Sequence, residues 1–312
     1  MYLGFDTSNY TTSVALFDGE NIMQQRKLLE VKRGEKGLRQ SDAVFQHTVN
    51  MQKLLELIKS DFDSAVFVEA AAVSAKPRSA AGSYMPCFLV GVNTAKAVST
   101  FTGSPLFETS HQTGHILAAL YDVKRLDLIN DKFIAFHLSG GTTEALLVTP
   151  SEEDIFDVKI IGQSLDLKAG QAVDRTGVML GLNFPCGKEL DRLSLTSTMH
   201  YKHKATLRGF DISLSGIENK AKDMVNKDCL PEDIANFVLT YLAQSIDSML
   251  KVLCDEYGNL PVVFSGGVSG NTIIRNTIKD KYKAYFASPE YSCDNAAGIA
   301  IYAYLKDRKN RQ

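Results

Sequence analysis

The feature of this chain that most limits its fold is a short apolar strand that ends in Ser-Gly-Gly and occurs twice. The first copy spans residues 133–141 and the second spans residues 261–267. Glycine reaches positive φ and has no β-carbon, so paired glycines after a strand can bring backbone N–H groups up to an anion. A third turn, after the opening strand, carries Asp6 and several hydroxyl side chains. The three turns predict a protein that holds a nucleotide or another phosphorylated ligand.

Length and composition predict an ordinary globular protein. With 312 residues, of which 45% are hydrophobic and 22% charged, the chain can bury a large core in two domains or one duplicated unit. We find no apolar run of the roughly 18 residues that a membrane span needs, and no signal-peptide pattern. We therefore expect a cytoplasmic protein without a membrane partner. The five cysteines include no C-x-x-C pair, so we expect free thiols.

The charge balance gives no overall attraction for nucleic acid. The formal net charge is −2, so RNA binding would need a local basic patch or a partner. One basic stretch contains Lys27, Lys32, Arg33, Lys36 and Arg39. A solvated loop is the simpler interpretation of that stretch.

The periodicity of apolar residues repeats in the two halves of the chain. The first half predicts strands at 2–8, 12–17 and 22–31, a helix at 41–60, a buried strand at 65–68 and a helix at 88–100. The second half predicts strands at 133–138, 144–149, 155–162 and 261–265, and helices at 170–181, 187–196, from Pro231, and at 270–281 and 293–308.

This repeated order predicts an α/β fold with two similar lobes and a central cleft. It resembles the actin, Hsp70 and sugar-kinase superfamily, which is built from duplicated ribonuclease-H-like lobes. We expect a first lobe at 1–124 and a second at 125–312, with the helix at 293–308 able to pack back on the first lobe.

Two histidines stand four residues apart, at His111 and His115. On a helix, these positions lie on one face, so both imidazoles can reach one metal ion. The same spacing is also compatible with a surface or helix-cap role. Gln112 stands where the zincin motif has its catalytic glutamate, so a thermolysin-like protease is not indicated.

The whole set of motifs resembles the universal tRNA threonylcarbamoyladenosine synthases, formerly called O-sialoglycoprotein endopeptidases or glycoproteases. The resemblance runs from Gly4 to Ala300. It rests on the order and spacing of short stretches: Asp6-Thr-Ser, residues 89–96, the His111/His115 pair, and residues 139–143, 169–174, 184–191, 210–216, 266–271 and 293–297.

The resemblance implies a transferase. Family members move threonylcarbamoyl from threonylcarbamoyl-adenylate to the amino group of the adenosine beside the anticodon of certain tRNAs. It also implies one divalent metal ion, iron or zinc, that acts as a Lewis acid, and no covalent catalysis by a side chain. The implied partners are tRNA, a paralogous subunit and an ATPase helper protein.

The resemblance also assigns site residues. The implied metal ligands are His111, His115 and Asp294, and His137 is either a fourth ligand or a histidine satisfied on a buried strand. Asp6 and Ser8 are candidates to contact phosphate or a metal-bound water. The implied nucleotide contacts are Ser139, Gly140, Gly141, Asp174, Gly187, Asp191, Gly266, Gly267 and Asn271. Taken alone, Asp174 could be a helix-surface acid and Asn271 a helix N-cap.

The chain departs from the family pattern in two segments, residues 36–42 and 77–86, and at Thr142 and Gln171. These departures leave open a divergent paralogue that keeps nucleotide and metal but modifies another substrate. They also leave open a non-catalytic nucleotide-binding paralogue or partner subunit, although such a subunit would be expected to lose the ligand set. A metalloprotease has less support because the histidine motif lacks a glutamate and no nucleophile–base pair is evident. A small-molecule kinase is compatible with the fold, but it would not need paired histidines.

Overall fold

The structure is a computed structural model that describes residues 1–8, 10–31, 38–80, 82–293 and 295–311. Its first part contains five strands and three helices. In chain order these are β1 (Tyr2–Asp6), β2 (Thr11–Phe17), β3 (Ile22–Leu28), α1 (Gln40–Ser60), β4 (Ala70–Lys76), α2 (Phe88–Thr102), β5 (Leu106–Ser110) and α3 (His111–Asp122).

The rest of the chain repeats this alternation with further helices. In chain order the elements are β6 (Phe133–Leu138), β7 (Thr143–Pro150), β8 (Phe156–Gln163), α4 (Ala169–Met179), α5 (Gly187–Ser194), β9 (Thr206–Arg208), β10 (Asp211–Ser213), α6 (Gly216–Asn226), α7 (Pro231–Tyr257), β11 (Val262–Ser265), α8 (Thr272–Ile278), β12 (Ala284–Phe286), α9 (Pro289–Ser292) and α10 (Ala297–Arg311). A short 3₁₀ helix, Leu126–Asn130, precedes β6.

Internal contacts divide the chain into two compact units. The first contains Met1–Leu126, Ser151–Ile155 and Glu290–Gln312, and the second contains Asp127–Pro150 and Phe156–Pro289. Helix α10 therefore belongs to the first unit.

Each unit contains a five-stranded mixed sheet with the same topology. The first sheet has the order β3-β2-β1-β4-β5, and the second, read from its other edge, has the order β8-β7-β6-β11-β12. In both sheets the first three strands form an antiparallel meander, and the remaining two add parallel to the central strand. The predicted α/β fold with duplicated lobes is confirmed at the level of strand order.

Helices cover both faces of the first sheet. Leu3 and Phe5 on β1 pack with Met51, Leu54 and Ile58 on α1 and with residues of α2. Gly4 points to the opposite face, where a β-carbon would lie 2.9 Å from the α-carbon of Ala300 on α10. The alternation of side chains along β1 thus places α1 and α2 on one face and α10 on the other.

The second unit is built around the long helix α7. Its buried side chains, among them Ile234, Leu242 and Leu250, belong to one cluster with residues of β6, β11 and α4. By length and composition α7 is the one described helix that could cross a membrane, but 56% of its apolar stretch is buried inside the protein. Core helices commonly have these properties, so this is weak evidence for a membrane span.

One predicted strand is wrong. Residues 65–68 form no strand, and the Phe67 side chain is 79% exposed. The strand of this region is β4, an alanine-rich segment at Ala70–Lys76 that is buried between helices. Alanine is depleted in strands, so the sequence signal favoured the neighbouring Val and Phe residues. The sequence also missed β5, β9, β10, α6, β12 and the short helix α9.

Candidate functional site

Asp6 stands at the end of β1 and is fully buried. Its carboxylate accepts hydrogen bonds from Ser8 Oγ at 2.6 Å and from Ser74 Oγ, in the carboxyl-terminal half of the parallel strand β4. His111 Nδ1 lies 3.2 Å from the same carboxylate. The carboxyl ends of parallel strands meet at one edge of a sheet, and that edge brings these residues together.

His111 and His115 both lie on α3, which starts directly after β5. Ser110 caps the helix, because its Oγ accepts a hydrogen bond from the Thr113 N–H at 3.1 Å. The two imidazole centroids are 4.2 Å apart with the rings inclined by 68°. Both histidines thus lie within α3, and the capped start of α3 positions both rings on one face.

The contact with Asp6 determines which nitrogen of His111 carries a proton. An ionised carboxylate only accepts hydrogen bonds, so Nδ1 of His111 donates and the lone pair of the neutral ring lies on Nε2. Metal-ligating histidines usually donate their second nitrogen to a carboxylate in this way. The Asp6, His111 and His115 arrangement therefore fits the imidazole part of a metal site.

The third predicted ligand, Asp294, lies outside the described residues. In the part of the chain that the structure describes, no group of three or more His, Cys, Asp or Glu side chains is placed to hold a metal ion. Asn295 accepts a hydrogen bond from the Ala297 N–H at 3.0 Å and so holds the start of α10. Gly298, in the first turn of α10, lies against the carbonyl of Gly114, the residue before His115. The start of α10 is thus close to the histidine pair.

The first Ser-Gly-Gly turn connects β6 to β7. The Ser139 N–H donates to the Thr142 carbonyl at 2.8 Å, and the Thr142 N–H donates to Ser139 Oγ at 3.1 Å. Contrary to our expectation, neither Gly140 nor Gly141 has a positive φ. Both are exposed, and a β-carbon at either would meet nothing within 4 Å. Open space in front of the backbone, rather than an unusual conformation, distinguishes these glycines.

The second Ser-Gly-Gly turn follows β11 and lies next to the first. Strand β11 pairs parallel to β6, with Ser265 opposite His137. Gly266 has a φ of 91°, and a β-carbon there would lie 2.6 Å from the Leu138 carbonyl carbon. Gly267 is exposed and has no neighbour within 4 Å of its β-carbon position. The fold therefore brings the two motifs together, although more than a hundred residues separate them in the chain.

His137 lies on β6, beside the second turn. Its Nδ1 is 3.1 Å from Ser265 Oγ, and that hydroxyl donates to the Phe136 carbonyl at 3.3 Å. Since the hydroxyl proton is used there, Nδ1 of His137 donates to Ser265 Oγ. This contact agrees with the interpretation of a hydrogen-bonded strand histidine. Its role as a metal ligand stays a prediction.

The two predicted ribose contacts, Asp174 and Asp191, each hold the start of a helix. Asp174 accepts a hydrogen bond from the Cys186 N–H at 2.9 Å, just before Gly187. Asp191 accepts from Asn271 Nδ2 at 2.6 Å and from Thr272 Oγ1 at 2.8 Å.

The remaining polar groups of this region serve the helix starts as well. Asn271 Oδ1 accepts from the Ile274 N–H at 3.1 Å, so Asn271 is the N-cap of α8, as its alternative interpretation predicted. Gly187 is exposed, with nothing within 4 Å of its β-carbon position. Burial, together with the charges of Asp174 and Glu189, raises the pKa of the Cys186 thiol.

A cavity of about 520 Å³ opens beside Thr272. Arg275 and Lys279 line it, together with Phe286, and the Arg275 guanidinium lies 5.1 Å from the centre of the Phe286 ring. Two cations one helical turn apart can bind an anionic ligand such as a phosphate. The sequence motifs did not indicate these residues. The signal that could have found them is the spacing of two cations one turn apart, directly after the second glycine turn.

A family model for tRNA N6-adenosine threonylcarbamoyltransferase matches residues 23–301 of the chain. Two curated relatives carry the same name. The protein of Persephonella marina is 30% identical over 99% of this chain and 90% of its own length. The protein of Riemerella anatipestifer is 26% identical over 97% of this chain and 92% of its own length.

Solved structures agree with the duplicated fold. HypF of T. kodakarensis superposes with a TM-score of 0.64 at 12% identity, over 99% of this chain and 48% of HypF. A ROK family glucokinase from Streptomyces griseus, in complex with glucose and AMPPNP, superposes with a TM-score of 0.55 at 10% identity, over 97% of this chain and 99% of the kinase. At these identities the likeness concerns the fold alone, which is that of the actin, Hsp70 and sugar-kinase superfamily.

Proposed function

The chain belongs to the tRNA N6-adenosine threonylcarbamoyltransferase family, and on that premise we propose that it moves threonylcarbamoyl from threonylcarbamoyl-adenylate to the adenosine beside the anticodon of tRNA. Membership of this family makes the protein a tRNA-modifying transferase. We propose, in addition, the adenylate as donor, the adenosine beside the anticodon as acceptor, and the metal ion.

The observation that carries the proposal is the pair of adjacent glycine turns in the second unit. Gly140, Gly141 and Gly267 have no β-carbon, and no heavy atom lies within 4 Å of the position that a β-carbon would take. Such bare backbone can approach a phosphate closely enough to donate N–H hydrogen bonds. We propose that the two turns hold the phosphate of the adenylate, with Asp174, Asp191, Gly187 and the start of α8 around its nucleoside.

The proposed reaction is an acyl transfer from an activated donor. The amino nitrogen of adenosine forms a bond to the carbamoyl carbon, while the bond from that carbon to the phosphate oxygen breaks. AMP leaves with the electron pair of that bond, and the amine loses one proton to solvent. The donor is already a mixed anhydride, so positioning can supply most of the acceleration. Ser139 Oγ accepts the Thr142 N–H, which supports a structural role rather than that of a nucleophile.

The proposal includes one divalent metal ion, iron or zinc, held by His111 and His115 together with Asp294. When bound, the ion would supply a Lewis acid that polarises an oxygen of the donor. In the described part of the site, Asp6 orients His111, and Ser8 and Ser74 hold Asp6 in turn. These residues prepare the imidazole ring for coordination by fixing its tautomer and its orientation.

A paralogous subunit is the partner that we propose for the first unit. Phe45 and Val49 lie one turn apart on α1 and are 70% and 42% exposed. Leu28, at the end of β3, is 71% exposed, and Gln46 ties the neighbouring Glu30 backbone to α1 through hydrogen bonds of 2.8 and 3.0 Å. Such a group of exposed apolar side chains is typical of a protein-binding surface. The ATPase helper protein remains an expectation from the family resemblance.

The first experiment tests binding and transfer separately. Binding of threonylcarbamoyl-adenylate to the full chain is measured by isothermal titration calorimetry. Transfer is measured by incubating chain, paralogous subunit, ATPase helper protein, adenylate and an unmodified tRNA transcript, with iron or zinc supplied, and by analysing the digested nucleosides by mass spectrometry. We expect saturable binding and the appearance of threonylcarbamoyladenosine.

A graded series at Gly141 connects the result to the glycine turns. Alanine and then leucine at this position fill the open space in front of the turn without a positive-φ penalty. We expect adenylate affinity to fall progressively from Gly141→Ala to Gly141→Leu, with an unchanged melting temperature. Equal affinity of all three proteins would contradict the phosphate contact. Bound adenylate without any transfer would contradict the tRNA acceptor.

A further inference from the structure

The segment that leads from α5 into β9 has a regular alternation of inward and outward side chains. From Tyr201 to Arg208 every second residue is partly buried, and the residues between them are exposed. The inward residues are Tyr201, His203, Ala205 and Leu207, and the outward ones are Lys202, Lys204, Thr206 and Arg208. This two-residue period is that of an extended chain, and residues 206–208 form β9. We call the outward cations Lys202, Lys204 and Arg208 the basic row.

The inward side chains attach the start of this segment to α7. The Tyr201 ring packs edge-on against Phe237, with centroids 5.4 Å apart, and the His203 ring stacks on Tyr241. Gln244 holds the backbone between them, because its Nε2 donates to the Tyr201 carbonyl at 3.2 Å and its Oε1 accepts the His203 N–H. Both neighbours of Lys202 are therefore attached to α7, so Lys202 points outward before any ligand binds.

The other end of the segment is held by β10 and by Asp166. Strand β9 pairs antiparallel with β10, with Arg208 opposite Asp211. Asp166 accepts hydrogen bonds from Ser213 Oγ at 2.5 Å and from the Leu214 N–H at 2.7 Å. Because both ends are attached, a ligand of the basic row would not have to order the backbone that carries it.

The cations of the basic row have no ion pair with any residue that the structure describes. Asp211, opposite Arg208, accepts the Gln163 N–H at 2.8 Å. Glu218 on α6 is shared by Arg175 and Lys222.

A further cation lies next to the row. Lys220 Nζ is 5.8 Å from the centre of the Tyr241 ring, on which His203 stacks. Burial and the charge of Lys220 lower the pKa of His203, so His203 adds no charge at neutral pH. The surface is thus locally positive on a chain with a net charge of −2.

We propose that the basic row binds the phosphate backbone of RNA and is the surface on which the second unit docks tRNA. This inference rests on the proposed function, which makes tRNA the acceptor. Regularly spaced cations on a pre-ordered extended segment suit a polyanion with regularly spaced charges, and contacts to phosphate position an RNA without reading its sequence. Lys202 and Lys204 are about 6.6 Å apart along an extended chain.

The test compares two triple variants of the full chain. Lys202→Gln/Lys204→Gln/Arg208→Gln removes the basic row. Lys132→Gln/Lys159→Gln/Lys251→Gln removes three exposed lysines elsewhere in the same unit and is matched in number of charges. Affinity for a fluorescent tRNA transcript is measured by anisotropy at several salt concentrations, and adenylate affinity by calorimetry.

We expect the row variant to bind tRNA about tenfold or more weakly at low salt, and the slope of log affinity against log salt to become shallower by about one unit for each lost contact. Adenylate affinity should be unchanged, and the control variant should bind tRNA like the wild type. Equal tRNA affinity of the two variants would overturn the assignment of this surface to tRNA. The basic row would then either bind nothing or bind an acidic protein. This outcome would not contradict tRNA as the proposed acceptor. A wild-type chain that binds adenylate but no tRNA would overturn both proposals.

Discussion

Gly266 lies so close to Leu138 that a β-carbon on Gly266 would be 2.6 Å from the Leu138 carbonyl carbon and 2.9 Å from its nitrogen. The Leu138 carbonyl in turn accepts the Val268 N–H at 3.0 Å. This contact joins the two glycine turns of the second unit. It makes the conformation of one turn depend on the backbone of the other.

The close approach predicts a large difference between two adjacent glycines. Gly266→Ala meets the Leu138 backbone and a φ of 91°, so we expect it to lower the free energy of unfolding by about 2 kcal/mol or more. Gly267→Ala enters open space, and we expect a change within about 0.5 kcal/mol. Urea unfolding of both variants measures the difference, and equal midpoints would contradict the contact.

The contact between Asp6 and His111 predicts an effect on metal affinity. We expect about one iron or zinc ion per wild-type chain by elemental analysis, and its loss in His111→Ala/His115→Ala. Asp6→Asn keeps both imidazoles but removes the orienting carboxylate, so metal affinity should fall about 10- to 100-fold. His200→Ala, an exposed histidine of the second unit, is the control. Full metal content in the double variant would exclude this site.

Asp191 should have a structural effect in addition to any role in binding nucleotide. It accepts hydrogen bonds from Asn271 Nδ2 and Thr272 Oγ1, so Asp191→Ala leaves the start of α8 without its partner. We expect a loss of about 2 kcal/mol in the free energy of unfolding without any ligand present. Glu189→Ala, an exposed acid on the same helix, should change it by less than about 0.5 kcal/mol. A stable Asp191→Ala protein would show that this cap contributes little.

The hydrogen-bonded carboxylate of Asp166 should make the stability of the protein depend on pH. Burial would raise its pKa, but hydrogen bonds from Ser213, Leu214 and Ser215 outweigh burial and hold the pKa well below its usual range. Because its pKa is lower in the folded than in the unfolded chain, the carboxylate stabilises the folded protein at pH values above the unfolded pKa of about 3.9. This stabilisation is lost as the pH falls below that value.

The corresponding variant is Asp166→Asn. Since the carboxylate is exposed, we expect it to cost only about 1 kcal/mol at neutral pH. The difference from wild type should be constant between about pH 7 and pH 5 and should narrow below about pH 4. Urea midpoints across this range measure it, and a constant difference down to about pH 3 would contradict the role of the charge.

The cysteines should differ strongly in reactivity. Cys293 is exposed, whereas Cys186 is buried, and burial with two nearby acids raises the pKa of the Cys186 thiol. Because the thiolate is the reactive form, iodoacetamide at about pH 7.5 should label Cys293 first. Cys186 should react only after urea unfolding. Peptide mass spectrometry over time measures both rates, and similar rates would contradict the burial of Cys186.

Local sequence patterns predicted most elements because strands and helices have distinct apolar periods. They failed where burial came from small residues, as in β4, and where an element was short, as in β9. They also directed attention to the basic stretch around Lys27 and Arg39, three of whose five cations lie outside the described residues. The basic row escaped notice because its inward partners include a histidine and a tyrosine, which read as polar in a sequence.

The sequence by itself determined the three strands that open each half, the two Ser-Gly-Gly turns and the spacing that puts the histidine pair on one helical face, since each depends on neighbours a few residues apart. Only the tertiary structure decided that Gly266 meets Leu138, that Asp6 orients His111 and that Asp191 holds Asn271, the N-cap of α8. Those contacts join residues that are distant in the chain. They follow from which strands lie side by side, and local periodicity does not encode that order.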